Sequence, residues 1–233
     1  AVPATVHASH TIGVTRASGS SSGDYALATM LSLESWVDPV GERLTGEKIA
    51  AVYASPLGRT VETAQILAKP HQLEVQTRDG LREISHGRWE QLTRREVEER
   101  FPEEAAEWEK DPYTFAPMGG ESGLAVTARA LPVLIQLVRE HPGEHILVVS
   151  HKATIRLLLS SLLGFDPRRY RDNLDQKPAA LNIVDFRDPV RSRLTLFNDT
   201  SHYDKAGKAI PDMPGASLSR WWDRLDALMP SFC

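Results

Sequence analysis

The chain has 233 residues, with 27 Lys plus Arg against 31 Asp plus Glu, a formal charge of −4. That balance argues against nucleic-acid binding driven by bulk positive charge, and 41% hydrophobic with 25% charged residues argues against global disorder. The single cysteine, Cys233, permits no intrachain disulfide and no Cys-based metal cluster. The longest apolar stretches, Leu131–Val138 and Leu157–Phe165, are too short to span a bilayer, and no basic-then-apolar leader opens the sequence. A soluble, cytoplasmic, metal-free protein without a cofactor is expected.

In chain order, residues 17–23 form a Ser/Gly run that reads as a flexible loop. Residues 24–45 are expected to be helical, interrupted near Pro39-Val40-Gly41. Ile49–Tyr53 is a buried-strand pattern, and Thr60–Ala68 a helix stopped by Pro70. Leu73–Thr77 alternates as a strand. Residues 93–110 are helical and interrupted at Pro102. Glu121–Glu140 carries apolar residues at helical spacing, with Pro132 expected to kink or break it. His145–Val149 is another apolar strand, and Thr154–Leu163 a helix ended by Gly164. Ala180–Phe186 and Arg193–Phe197 read as late strands in a hairpin or meander, and Leu218–Leu228 as a short helix in a polar tail. The alternation of strand and helix predicts an α/β fold with a largely parallel sheet.

In such sheets, sites form where strands run into helices. Three polar groups fall there. Ser55, followed by Pro56, is placed to cap the next helix, and Arg59 lies one turn in, where a guanidinium and free backbone N–H groups suit phosphate. His151 directly follows a buried strand. Glu83, between apolar neighbours, is suited to a general acid in a pocket that would raise its pKa. Each signal alone is as readily explained by ordinary packing or solvation.

Their order carries more. Ser55-Pro56-Leu57-x-Arg59-x-x-x-Thr63-Ala64, then Leu81-Arg82-Glu83-x-x-x-Gly87-x-Trp89-Glu90, then Gly119-Gly120-Glu121-Ser122, then Val148-Val149-Ser150-His151 resembles the histidine phosphatase superfamily, the phosphoglycerate-mutase-like proteins, and more its small phosphatase branch than its mutases. The resemblance covers roughly residues 46–200. It implies a three-layer α/β sandwich with a mostly parallel central sheet flanked by helices, as a single domain over 1–233 with an atypical segment at 1–40 and a tail at 206–233. It also implies hydrolysis of small phosphate monoesters through a phosphohistidine, without a metal. Arg59 would hold the phosphate, His151 would hydrogen-bond it, and Glu83 would protonate the leaving oxygen. The implied partner is a small phosphorylated metabolite, not nucleic acid or membrane, and a homodimer is left open.

The N-terminus departs from that pattern, because the sequence contains no Arg-His-Gly. Arg16 follows a strand-like run, but Ala17 stands where the family has its nucleophilic His. His10 lies 59 − 10 = 49 residues before Arg59, about the family's separation, whereas Arg16 lies 59 − 16 = 43 before it. Three readings stay open: a phosphate-binding relative that has lost the motif, His10 as nucleophile in a changed context, or an altered segment over 1–40. A phosphoglycerate mutase is a further alternative. Lys152 replaces a common family Gly and is expected to face solvent.

Overall fold

The computed structural model describes residues 8–13, 37, 39–177 and 179–202. The expected helix at 218–228, Arg16 and most of 24–45 lie outside these residues.

Six strands form one sheet in the order β3-β2-β4-β1-β5-β6. They are β1 (Ala8–Gly13), β2 (Ile49–Ala54), β3 (Val75–Thr77), β4 (His145–Val149), β5 (Leu181–Phe186) and β6 (Ser192–Asp199). The pairs β3–β2, β2–β4 and β4–β1 are parallel, while β1–β5 and β5–β6 are antiparallel. The sheet is therefore mostly parallel, with an antiparallel hairpin at one edge.

The apolar strands are buried on both faces, as parallel strands covered by helices must be. Successive residues point to opposite sides. Ala51, Tyr53, Ile146 and Val148 pack with Leu134, Leu137, Ile155 and Leu158 of α5 (Gly123–Glu140) and α6 (Lys152–Leu163). Val52, Ala54, Leu147 and Val149 pack with Val40 and Leu44 of α1 (39–44) and with Ala64 and Leu67 of α2 (Gly58–Ala68). This is the three-layer arrangement. Gly164 closes α6 in a left-handed conformation, φ +74°.

α5 runs unbroken through Pro132, contrary to expectation. Pro132 and Ala128 are both exposed, so the carbonyl that loses its N–H partner faces water rather than the core. At Pro102 the interruption is real: α3 (Arg94–Arg100) ends and α4 (Pro102–Lys110) begins with the proline in its first turn.

Trp89, Val97, Ala105 and Trp108 form a separate small core with Leu92, Phe101 and Phe115. The segment 89–118 is thus a cap with its own packing. Its two ends meet at a neck. The Arg88 N–H donates to the Met118 carbonyl at 3.0 Å, and the Glu121 N–H to the Ser85 carbonyl at 2.8 Å. Gly87 adopts φ +54°, and a Cβ there would lie 2.3 Å from the Met118 oxygen, so the crossing requires glycine. A four-residue turn, α7 (Tyr170–Asn173), anchors through buried Tyr170 to Ile84, Val126 and Leu157. Among the described residues, no helix is long and apolar enough to cross a membrane.

Candidate active site

The carboxyl ends of β2 and β4 bring Ser55 and His151 together. Ser55 extends β2, its N–H donating to the Val149 carbonyl at 3.0 Å. His151 is the N-cap of α6 and is fully buried. The His151 Nε2 lies 2.8 Å from the Ser55 hydroxyl, and its Nδ1 lies 3.1 Å from an Arg59 terminal nitrogen. A guanidinium has only donors, so Nδ1 accepts and Nε2–H donates to Ser55. The ring is therefore neutral. Its pKa is pushed down to about 3, first by burial and then by the Arg59 and Arg129 cations.

Ser55 is not the helix cap that its sequence position suggested. α2 starts at Gly58 with Leu57 as N-cap, and the Ser55 hydroxyl instead accepts the Leu57 N–H at 3.3 Å in a turn before the helix. That early turn is what frees Ser55 to meet His151. Arg59 sits in the first turn of α2. Its Nε is buried and has no hydrogen-bond partner in the described structure. Burial lowers the Arg59 pKa, and the Glu83 and Glu90 carboxylates act in the opposite direction.

Glu83 lies at the start of α6. Its carboxylate accepts N–H groups from Ile84 at 3.0 Å and from Ala153 and Thr154 at 3.3 Å, along with the Thr154 hydroxyl at 3.3 Å. One helix N-terminus thus carries both His151, as its cap, and Glu83, on its first free N–H groups. Arg59, Glu83 and His151 meet in one place although Arg59 and His151 are 92 residues apart.

Sequence patterns did not single out Arg129. Its guanidinium binds the Glu121 carboxylate at 2.8 and 2.9 Å, and donates to the carbonyls of Gly80, Arg82 and Glu83 at 2.8–3.0 Å. Glu121 also accepts the Ser85 N–H at 3.1 Å. The Ser150 hydroxyl adds a bond to the Leu81 carbonyl at 2.8 Å, and the Thr154 hydroxyl one to Arg82 at 2.7 Å. These bonds fix the loop that presents Glu83. Glu121 just before the N-cap of α5, eight residues ahead of an Arg within it, was the available signal. Arg129→Ala would take the guanidinium from a partly buried carboxylate and the side-chain donor from the Gly80 and Glu83 carbonyls. A loss of about 3 kcal/mol is expected, which lowers the melting temperature by roughly 6–12 °C. A calorimetric melt within 1 °C of wild type would contradict this role.

His10 lies in β1, next to β4 in the sheet. β1 pairs His10 with Ile146 and Gly13 with Val149. His10 therefore lies 151 − 146 = 5 residues before the level of His151, about 16 Å along the strand. Arg16 lies outside the described residues. Among the described residues, no group of three His, Cys, Asp or Glu side chains could hold a metal ion.

Comparison with known proteins agrees with this architecture. The chain is 34% identical over 175 residues to phosphoserine phosphatase 1 of Hydrogenobacter thermophilus, covering 73% of this chain and 82% of that one. It is 37% identical over 155 residues to a bifunctional protein of Mycobacterium tuberculosis, covering 66% of this chain but only 42% of that relative's length. Among solved structures, YhfR of Bacillus stearothermophilus superposes with a TM-score of 0.71 at 24% identity, covering 83% of this chain and 98% of that one. The mycobacterial glucosyl-3-phosphoglycerate phosphatase in complex with inorganic phosphate superposes with a TM-score of 0.68 at 24% identity, covering 84% and 99%. The profile of the histidine phosphatase superfamily (branch 1) matches residues 37–200, and the chain belongs to that superfamily.

Proposed function

We propose that this protein is a metal-independent phosphatase acting on small phosphate monoesters. The observation that supports it is the joining of Arg59, His151 and Ser55 beside the start of α6. A phosphoryl group in transfer spreads negative charge over its oxygens, and a guanidinium, an imidazole N–H and a helix N-terminus are the donors that stabilise it. In the covalent route general to this superfamily, a histidine nitrogen bonds to phosphorus as the ester P–O bond breaks. Glu83 gives its proton to the leaving oxygen. Water then cleaves the P–N bond and releases phosphate, its proton passing back to Glu83. The relatives named for phosphoserine and glucosyl-3-phosphoglycerate both point to phosphate monoesters as the class.

A second reading is phosphate binding without covalent turnover. The register of His10, five residues short of His151, favours it, as does the run Val14-Thr15-Arg16-Ala17 after β1, which holds no histidine. Labelling with a radioactive aryl phosphate in the presence of EDTA separates the two. Acid-labile label on wild type that disappears in His10→Ala supports the phosphatase with His10 as nucleophile. Absence of label in both proteins, with inorganic phosphate still bound, supports the second reading.

A further inference from the structure

We infer that Arg171 is a specificity-determining residue of this site: by fastening the cap to α7, it limits the leaving group to compact ones. The inference rests on the phosphatase reading, because it places the leaving group on the Glu83 side of the bound phosphate.

Arg171 bridges two separately packed parts of the molecule. It belongs to α7, which Tyr170 anchors into the body. Its guanidinium lies 3.9 Å from the ring centre of Trp108 and 3.6 Å from the Glu109 carboxylate, both on α4 of the cap. The Arg171 side chain is only 12% exposed, with its apolar contact on Trp108 buried and its Glu109 partner half-exposed.

Trp108 links this junction to the site. Its ring packs edge-on against His86 at 5.9 Å and against Trp89 at 5.9 Å. His86 follows Glu83 by three residues in the same clamped loop. Its Nδ1 is buried without a hydrogen-bond partner in the described structure. Burial holds the His86 pKa below the ordinary imidazole value, while the Glu90 and Glu83 carboxylates oppose that and the Arg171 cation adds to it. Glu83 and Glu90 are also the carboxylates that act on Arg59. Along the clamped loop Glu83 is thus followed three residues later by His86, whose ring packs on Trp108, which in turn carries Arg171. On this inference, a bulky leaving group extending from Glu83 reaches the Trp108–Arg171 junction and has to part it. The cap has its own small core and joins the body at the narrow Gly87 neck, so its α7 side yields once Arg171 is removed.

Binding of phosphonates tests this without requiring turnover. Methylphosphonate and 1-naphthylphosphonate are titrated calorimetrically into wild type, Arg171→Ala and Arg171→Lys, with inorganic phosphate as reference. Wild type is expected to prefer the small ligand. Arg171→Ala is expected to shift the affinity ratio toward the naphthyl ligand by on the order of tenfold and to leave inorganic phosphate affinity unchanged. Arg171→Lys keeps a charge for Glu109 but no planar face for Trp108, and should shift the ratio less. If Arg171→Ala fails to fold, Glu109→Gln supplies the same test with an expected shift of a few-fold. If wild type binds methylphosphonate and neither Arg171→Ala nor Glu109→Gln moves the ratio, the phosphate site stands and the specificity role is overturned. If wild type binds neither phosphonate nor phosphate, the site reading fails and takes this inference with it.

Discussion

Arg59→Ala is expected to weaken inorganic phosphate binding by about ten- to a hundredfold. Arg59 stands in the first turn of α2 with one terminal nitrogen on His151 and a buried Nε that lacks a partner. A partly buried, charge-assisted contact is worth roughly 1.5–3 kcal/mol, and 1.4 kcal/mol is about tenfold in affinity. The same substitution removes one of the two cations that depress the His151 pKa. Phosphate affinity should therefore become more pH-dependent in the variant as His151 gains access to its protonated form. Arg59→Lys should fall between the two proteins, because it keeps the charge and loses the planar fork. A calorimetric titration showing equal phosphate affinity in wild type and Arg59→Ala would remove Arg59 from the site.

Acidification is expected to destabilise the protein well before its carboxylates titrate, and His151 is the principal reason. Its pKa is about 3 in the fold against an ordinary 6.5. Between those values the unfolded chain carries a proton on this residue and the folded one does not. The contribution is therefore complete above pH 6.5 and is lost as pH falls toward 3. The slope approaches ~1.4 kcal/mol per pH unit. Burial also lowers the pKa of His86 and His202, so both act in the same direction. Comparison with His151→Gln isolates the one residue. Urea unfolding from pH 6.5 to 4.5 should show a steep loss in wild type and a shallower one in the variant. Saturating phosphate should also flatten the wild-type slope, because an anion beside Arg59 offsets one of the two cations that add to burial in keeping His151 neutral. Equal slopes in wild type and His151→Gln would assign the acid sensitivity elsewhere.

Much of the architecture was legible without coordinates. Ile49–Tyr53 and His145–Val149 are continuous apolar runs, and a strand covered on both faces by helices has no other composition available. The order Ser55 with Arg59, then Glu83, then His151, each after an expected strand, placed three polar groups at the carboxyl ends of strands in one sheet, and the structure brings them together. Gly164 ended α6 and Pro102 divided the cap helices because those residues act on the backbone locally, whereas Pro132 did not break α5.

The bonds within the site were decided by tertiary structure alone. Ser55 was read as a helix cap, and only the turn at Leu57 and the arrival of β4 hand its hydroxyl to His151. Glu83 was read as a carboxyl in a pocket, yet its oxygens lie on the first N–H groups of a helix 70 residues away. Arg129 shows no motif, because three of its partners are backbone carbonyls, which any sequence supplies, and the fourth, Glu121, is brought to it by the fold. The separation of His10 from Arg59 matched the family, but separation along a chain does not set strand register. Register in a parallel pair is set by how two apolar faces and their crossover helices pack, and that packing pairs His10 with Ile146, five residues short of the level of His151.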